Sequence, residues 1–142
     1  MTAALRSISA VLLGFIAGFL IFFAIEYVSI RLYPLPAGAD FLDEASLIAA
    51  RTSRPVGAMI IVLAGWVLGT STASFVATRL AQDMKSLYGL LLGLVFMAEG
   101  ITKMREVPRP LWFWIVGVPL LVIAPLLGTS AALPRRETAA EK

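Results

Sequence analysis

Two carboxylates lie inside apolar stretches of this sequence, and they are the side chains best suited to carry chemistry. Glu26 lies near the end of an apolar run over residues 8–30, and Glu99 lies near the end of another run over residues 84–103. A charge at the centre of a membrane helix costs about 2.5–3.5 kcal/mol on insertion scales, so such residues usually have a role. Together the two glutamates could form a site for a proton or a cation.

A structural role is the stronger interpretation of both glutamates. Near the end of a membrane span the cost of a charge falls, because the side chain can reach water or pair with a cation. The neighbouring cations in the sequence are Arg31, Lys103 and Arg105. The chain contains no cysteine and no histidine, which removes the thiol nucleophile, the usual general base and the commonest metal ligand. We therefore expect no enzymatic activity, no cofactor and no metal site.

The composition indicates a membrane protein. Of the 142 residues, 59% are hydrophobic and only 15% are charged, whereas a soluble domain carries about 25% charged residues. The mean hydropathy is +0.88. The net charge of +3 comes from basic residues that flank the apolar runs, where they suit lipid headgroups. We predict one membrane domain over residues 1–142 that contacts the lipid bilayer and does not bind nucleic acid.

Four apolar runs are long enough to cross a bilayer. A helix rises about 1.5 Å per residue, so about 20 residues cover a hydrocarbon core about 30 Å thick. The pattern predicts an all-α integral membrane four-helix bundle, with spans over about residues 8–30, 55–79, 84–103 and 110–133. The first run is too long for the apolar core of a signal peptide. The third run is the shortest, and a re-entrant segment is the alternative to a full span there.

The first connection predicts a short amphipathic helix over about residues 40–51. Asp40 would be its N-cap, and Arg51 would lie in its last turn, where a cation suits the helix dipole. One face would combine the apolar residues Phe41, Ala45, Ile48 and Ala49. Such a helix lies on the membrane surface or caps the bundle.

The remaining connections predict how two spans begin and how the chain ends. Ser53 would cap the second span, with Pro55 in the first helical position, where its missing N–H costs nothing. Asp83 would cap the third span after a very short turn, which makes the second and third spans antiparallel neighbours. The tail over residues 134–142 is polar, and we expect it to be disordered.

Small residues recur at helical spacing in three of the runs. Lipid supplies no hydrophobic drive between helices, so strips of small residues mark close helix contacts. The residues that we assign to helix packing are Gly14, Gly18, Gly65, Gly69, Ala73, Gly89 and Gly93. We expect the second span to be the middle of a three-helix contact with the first and third, and the fourth to close the bundle from outside. The hydroxyls between Thr70 and Ser74 suit packing better than a polar path.

Aromatic residues and charges bear on placement in the membrane. Trp112 and Trp114 lie at the start of the fourth span, where an aromatic belt anchors a helix at the headgroups. Pro119 and Pro125 predict kinks within this span. Basic residues are equal in number on the two sides, so the positive-inside rule does not decide the orientation. The acidic first connection suits the outside better, and we predict an inner (plasma) membrane protein with both termini in the cytoplasm.

Three short motifs follow one another along the chain. Glu26 precedes the turn Tyr33-Pro34-Leu35-Pro36-Ala37-Gly38, Pro55 precedes Gly65-Trp66-Val67-Leu68-Gly69, and residues 108–114 read Pro-Arg-Pro-Leu-Trp-Phe-Trp. In these motifs the chain resembles a group of small bacterial four-helix membrane proteins of unknown function. The resemblance covers most of the chain and implies a fold and a location, but no activity. Such proteins tend to have histidine where this chain has Arg109, which argues against a pH-sensing site there.

These features define the fold more sharply than they define the function. The favoured function is that of a non-enzymatic, multi-pass structural or interaction protein, or a small subunit, which packs with itself or with a membrane-protein partner through its glycine strips. The alternative is a small proton- or cation-coupled transporter that uses Glu26 and Glu99. A membrane enzyme ranks last, because catalytic side chains are scarce.

Overall fold

The apolar runs of the sequence are helices in the computed structural model, which describes residues 3–40, 42–82 and 84–134. Within these residues the chain forms five α-helices and no strand: α1 (Ala3–Leu32), α2 (Glu44–Thr52), α3 (Val56–Leu80), α4 (Lys85–Glu106) and α5 (Leu111–Ala132). In this described part, α1, α3, α4 and α5 are long and apolar enough to cross a membrane. The predicted all-α fold with four such helices is confirmed.

The long helices lie close to the predicted spans, with differences at their ends. α4 is continuous over 22 residues, and at about 1.5 Å per residue it could cross a membrane. Pro55 precedes the first residue of α3 as its N-cap, instead of occupying the first helical position. Ser53 closes α2 rather than capping α3, because its backbone N–H donates to the carbonyl of Ala49 at 3.2 Å. α5 continues as one helix across its two internal prolines.

The short helix α2 begins at Glu44, later than the predicted start at residue 40. Asp43 is its N-cap and accepts a hydrogen bond from the backbone N–H of Ser46 at 3.0 Å. Asp40 instead accepts from the N–H of Leu42 at 2.8 Å and closes a local turn, which competes with helix formation at this point.

The buried side of α2 also differs from the predicted apolar face. Ala50 is the buried residue of the helix, whereas Ala45 and Ala49 are exposed. The predictions made for Phe41, for Asp83 and for residues 135–142 lie outside the described part of the chain.

One face of α3 packs closely against α1 through small residues. A methyl group added to Gly18 would lie 2.6 Å from the carbonyl oxygen of Gly69 and 2.7 Å from the Cβ of Ala73. A methyl group added to Gly14 would lie 2.7 Å from the carbonyl oxygen of Ala73. Such distances are too short for any side chain, so α1 and α3 approach at backbone contact.

The glycines of α4 face α5 and the other side of α3, and α1 makes few contacts with α4. A methyl group on Gly93 would overlap the ring of Pro125 in α5 and would lie 2.9 Å from the hydroxyl of Ser74. The expected arrangement, with α3 between α1 and α4, is present, since α3 contacts both helices. The α4 glycines, however, also face α5, which the expectation did not include. α5 packs on both α3 and α4 instead of closing the bundle from outside.

Large side chains fill the space between α3, α4 and α5. The buried members of this cluster are Met59, Val62, Leu63, Trp66, Met104, Phe113 and Leu121. Trp66 and Phe113 meet edge to face, with ring centroids 5.8 Å apart, a favoured aromatic geometry. Two members of the cluster, Val62 and Trp66 of α3, also line the space described next.

Candidate functional site

A partly open cavity of about 350 Å³ lies where α1 and α4 separate over the face of α3. One part of its wall is aromatic and contains Phe19, Phe22, Phe23, Trp66 and Phe96. The other part is charged and contains Glu26, Arg51, Arg54, Glu99, Lys103 and Arg109. The site therefore joins an apolar compartment to a strongly ionic one.

Arg54 connects the start of α3 to the later part of α1. Its Nη1 donates to Glu26 Oε1 at 3.1 Å, and its Nη2 donates to the hydroxyl of Ser29 at 2.7 Å. Ser29 lies three residues after Glu26, so both partners are on one face of α1. The Arg54 side chain is only 3% exposed, against 20% for that of Glu26. Glu26 is thus held by a buried cation rather than left alone.

Arg31, which the sequence suggested as a partner of Glu26, contacts Tyr27 instead. Arg31 donates to the hydroxyl of Tyr27 at 2.7 Å, one turn earlier on α1, and its guanidinium carbon lies 5.1 Å from the centre of that ring. The local pair forms because residues four apart are neighbours on a helix.

Glu99 enters the same cavity wall from α4. Its carboxylate lies 3.9 Å from the Nζ of Lys103, one turn later, and Lys103 donates to Glu106 at 2.7 Å. The Glu99 side chain is 65% exposed, so this pair contributes little to stability. The structure therefore brings both sequence-predicted carboxylates to one cavity but gives them different surroundings.

Arg109, in the connection between α4 and α5, has more buried donors without an acceptor than any other cation in the described part of the chain. Its guanidinium carbon lies 5.1 Å from the centre of the Phe113 ring, within cation–π range. Its Nε and Nη1 are buried and have no acceptor among the described residues. Burial and then the charge of Arg54 lower the pKa of Arg109, while Glu26 acts in the opposite direction. An arginine remains protonated under such shifts.

The charges of the cavity wall do not balance. Its cations are Arg51, Arg54, Lys103 and Arg109, and its carboxylates are Glu26 and Glu99. Positive charge is therefore in excess, which favours an anion over a metal ion. No group of three or more acidic, histidine or cysteine side chains gathers as a metal-binding set within the described residues.

The hydroxyl groups of α3 do not form one polar path, because each has a different neighbour. The Ser71 hydroxyl donates to the backbone carbonyl of Ala124 in α5 at 3.0 Å, a contact that ties two helices. Thr78 lies 3.5 Å from Thr129 of α5, oxygen to oxygen. Thr70 is buried and lines the cavity.

The proposed interface anchors are also part of the packing. Trp112 and Trp114 are partly buried and lie against the cluster that contains Trp66 and Phe113. The Trp112 ring meets Phe113 at 5.6 Å between centroids. Their position at the start of α5 is as the sequence indicated, and their rings also contact the protein core.

The cationic part of the site was missed by sequence reasoning. Arg51 was expected in the last turn of the short helix and Arg109 was noted in the motif of residues 108–114, but neither of them, nor Arg54, was linked to Glu26. The usable signal was the presence of several arginines at the same end as a glutamate within a span, since intramembrane charges pair with one another. Comparisons of the chain with protein-family models, with curated proteins and with solved structures found no match.

Proposed function

We propose that this chain is a non-enzymatic, multi-pass membrane protein whose four long helices are its spans. Support comes from the many large apolar side chains that remain exposed on these helices, such as Leu12, Ile16 and Leu20 on α1. Water would disfavour such a surface, whereas acyl chains would not. In this proposal α2 lies at the membrane interface, the membrane is the inner (plasma) membrane and both termini are cytoplasmic.

The proposed activity is binding of an amphipathic molecule of the membrane in the cavity between α1, α3 and α4. The observation that carries this proposal is the division of one cavity wall into an aromatic part and a charged part. Its volume of about 350 Å³ lies within the range of about 300–1,000 Å³ that is typical of ligand sites. A purely apolar or purely ionic ligand would leave half of this wall unmatched.

Assembly with a second copy or with a membrane-protein partner has less support. The glycine strips that would mediate it are occupied within the chain, since Gly14 and Gly18 meet α3 and Gly93 meets Pro125. A partner would therefore have to bind another face of the bundle. We also propose that the chain is related to the small four-helix membrane proteins of unknown function that it resembles.

Tryptophan fluorescence tests the binding proposal, because Trp66 lines the cavity and the other two tryptophans are not among its lining residues. The double variant Trp112→Phe with Trp114→Phe reports on the cavity alone, and Trp66→Phe with Trp114→Phe supplies the matched reporter outside it. A brominated single-chain amphiphile added to detergent-solubilised protein should quench Trp66 with saturation near one molecule per chain. Quenching of Trp112 should rise in proportion to the amphiphile in the micelle. Identical curves for the two reporters would contradict the proposal.

A small proton- or cation-coupled transporter is the second candidate. The specific observation in its favour is that Glu26 and Glu99 line the same partly open cavity. The pairing of Glu26 with Arg54 counts against it, because a carboxylate held by a buried cation is a poor site for a second cation. We therefore rank transport below binding.

A further inference from the structure

Along both α1 and α4, the cavity wall changes from aromatic to charged in the same direction. On α1 the wall runs from Phe19 to Glu26, and on α4 it runs from Phe96 to Lys103. The members of each pair are seven positions apart, and at about 1.5 Å per residue this corresponds to a distance of about 10 Å along the helix. The two helices thus build parallel gradients, and a ligand that fits both must have an apolar and an ionic end about 10 Å apart.

The ionic end has donors that the protein does not satisfy. Arg54 is 6% exposed, and its Nε is buried without an acceptor among the described residues. The same holds for Nε and Nη1 of Arg109. Buried polar groups in proteins are nearly always hydrogen-bonded, so these guanidinium groups indicate a missing acceptor. Arg51, exposed on the same cavity wall, adds a further positive charge.

A guanidinium group has a specific preference among acceptors. Its planar set of N–H donors matches the paired oxygens of a phosphate or a carboxylate, and charged hydrogen bonds of this kind are about twice as strong as neutral ones. The protein's own carboxylates at the site, Glu26 and Glu99, are already within ion-pair distance of Arg54 and Lys103 respectively. Arg109 has no such partner in the described part of the chain.

We infer that the cavity is a headgroup site for a phosphate-bearing anionic lipid, with the phosphate at Arg109 and Arg51 and one acyl chain against the aromatic wall. The inference rests on the proposed function and adds the class of ligand to it. Phe19, Phe23 and Phe96 supply the apolar surface, and the excess of cations supplies the selectivity for an anion. A free phosphate ion would use only the ionic half, so the occupant is a lipid.

The test compares two lipids that share a phosphate and the same acyl chains but differ in headgroup, one with a net negative charge and one zwitterionic. The Trp66-only protein, carrying Trp112→Phe and Trp114→Phe, is placed in bilayer discs of unbrominated phosphatidylcholine. Phosphatidylglycerol or phosphatidylcholine with brominated acyl chains is then added at increasing mole fraction. Lipids around the protein quench equally in both series, so a difference between them reports the site. We expect half-maximal quenching of Trp66 at a mole fraction roughly tenfold lower for the anionic lipid.

Variants assign that difference to the arginines. Arg109→Gln should remove most of the preference, and Arg51→Gln, at an exposed residue, should lower it without affecting folding. Arg105→Gln is the matched control, because Arg105 is an exposed cation at the same end of α4 that does not line the cavity. Arg109→Lys should restore part of the preference while keeping the charge. Thermal unfolding of each variant identifies any that fail to fold. If Arg109→Gln does not fold, the result with Arg51→Gln decides the test.

The outcomes separate the two proposals. Equal quenching curves for the two brominated lipids would overturn the headgroup site and leave amphiphile binding intact. Equal quenching of Trp66 and Trp112 in the detergent titration would overturn both. Unbrominated phosphatidylglycerol should relieve the quenching, whereas millimolar inorganic phosphate should not; relief by phosphate alone would assign the arginines to a free anion and overturn the lipid site. A preference that survives both Arg109→Gln and Arg51→Gln would also overturn it.

Discussion

The guanidinium of Arg54 binds the carboxylate of Glu26, 28 residues earlier in the chain, at 3.1 Å. This pair fixes the start of α3 against the later part of α1 at the edge of the cavity. Arg54 is the more buried partner, and its second hydrogen bond goes to the fully buried hydroxyl of Ser29. Loss of the cation therefore leaves two polar groups without a partner, whereas loss of the carboxylate charge leaves an acceptor in place.

The first prediction concerns the energetics of this pair. Arg54→Gln should lower the free energy of unfolding by up to about 3 kcal/mol, because breaking a buried pair strands the remaining charge. Glu26→Gln should cost less, since its amide oxygen can still accept from Arg54. Arg51→Gln, three residues earlier and exposed, is the control and should change stability by less than about 0.5 kcal/mol. Thermal or denaturant unfolding in detergent checks the order, and an Arg51 variant as unstable as the Arg54 variant would contradict it.

A second prediction concerns the contact of α1 with α3. Gly18→Leu should destabilise the protein by about 1–3 kcal/mol or prevent the two helices from packing, because the new side chain would meet the backbone of Gly69. Backbone cannot move aside as a flexible side chain can. Ala24→Leu adds a similar volume at an exposed position of the same helix and should be tolerated. Equal melting temperatures for the two variants in detergent would argue against this contact.

The orientation in the membrane gives a third prediction. The chain has no cysteine, so single cysteines can be labelled without background. In intact cells a membrane-impermeant maleimide should label Ala45→Cys, at an exposed position of α2, and should not label Ala139→Cys. Both should react after the membrane is permeabilised. Labelling of Ala139→Cys in intact cells would reverse the proposed orientation.

The fourth prediction distinguishes binding from transport. The double variant Glu26→Gln with Glu99→Gln should leave proton flux in proteoliposomes at the level of liposomes without protein, as should the original chain. Only a transporter would show a flux that the original chain supports and the double variant loses. The single variant Glu106→Gln provides a control, because Glu106 is an acidic residue of the same end that does not line the cavity. A flux that depends on Glu26 or Glu99 would favour the second candidate.

The helices were well predicted because their signal is local. Long apolar runs set α1, α3, α4 and α5, and small residues such as Gly18 and Gly69 lie at surfaces of close approach in the structure. Which strip meets which was not predictable, because a glycine records only that something comes near. Gly93 receives a proline ring of α5 rather than α1, and nothing in the spacing of the α4 glycines distinguishes these neighbours.

The site was predicted only in its acidic half. Glu26 and Glu99 stand out in sequence because a charge within an apolar run is unusual, but arginines near span ends are common and have a ready explanation in lipid headgroups. Arg54 reaches Glu26 only because residues 33–54 double back through a turn and α2 before α3 begins. That path depends on tertiary packing, so residue spacing along the chain could not reveal it.

The order of the chain gives the Arg54–Glu26 pair a consequence for biosynthesis. Glu26 is translated first, and the ribosome adds the residue that neutralises it 28 positions later. At about 5–20 residues per second, the carboxylate exists for roughly 1 to 6 s before its cation. In the proposed membrane arrangement, its place near the end of α1 keeps the carboxylate close to water until α3 packs against α1. The arrival of α3 then withdraws the charge from water, so this pair closes only when the second long helix has been made.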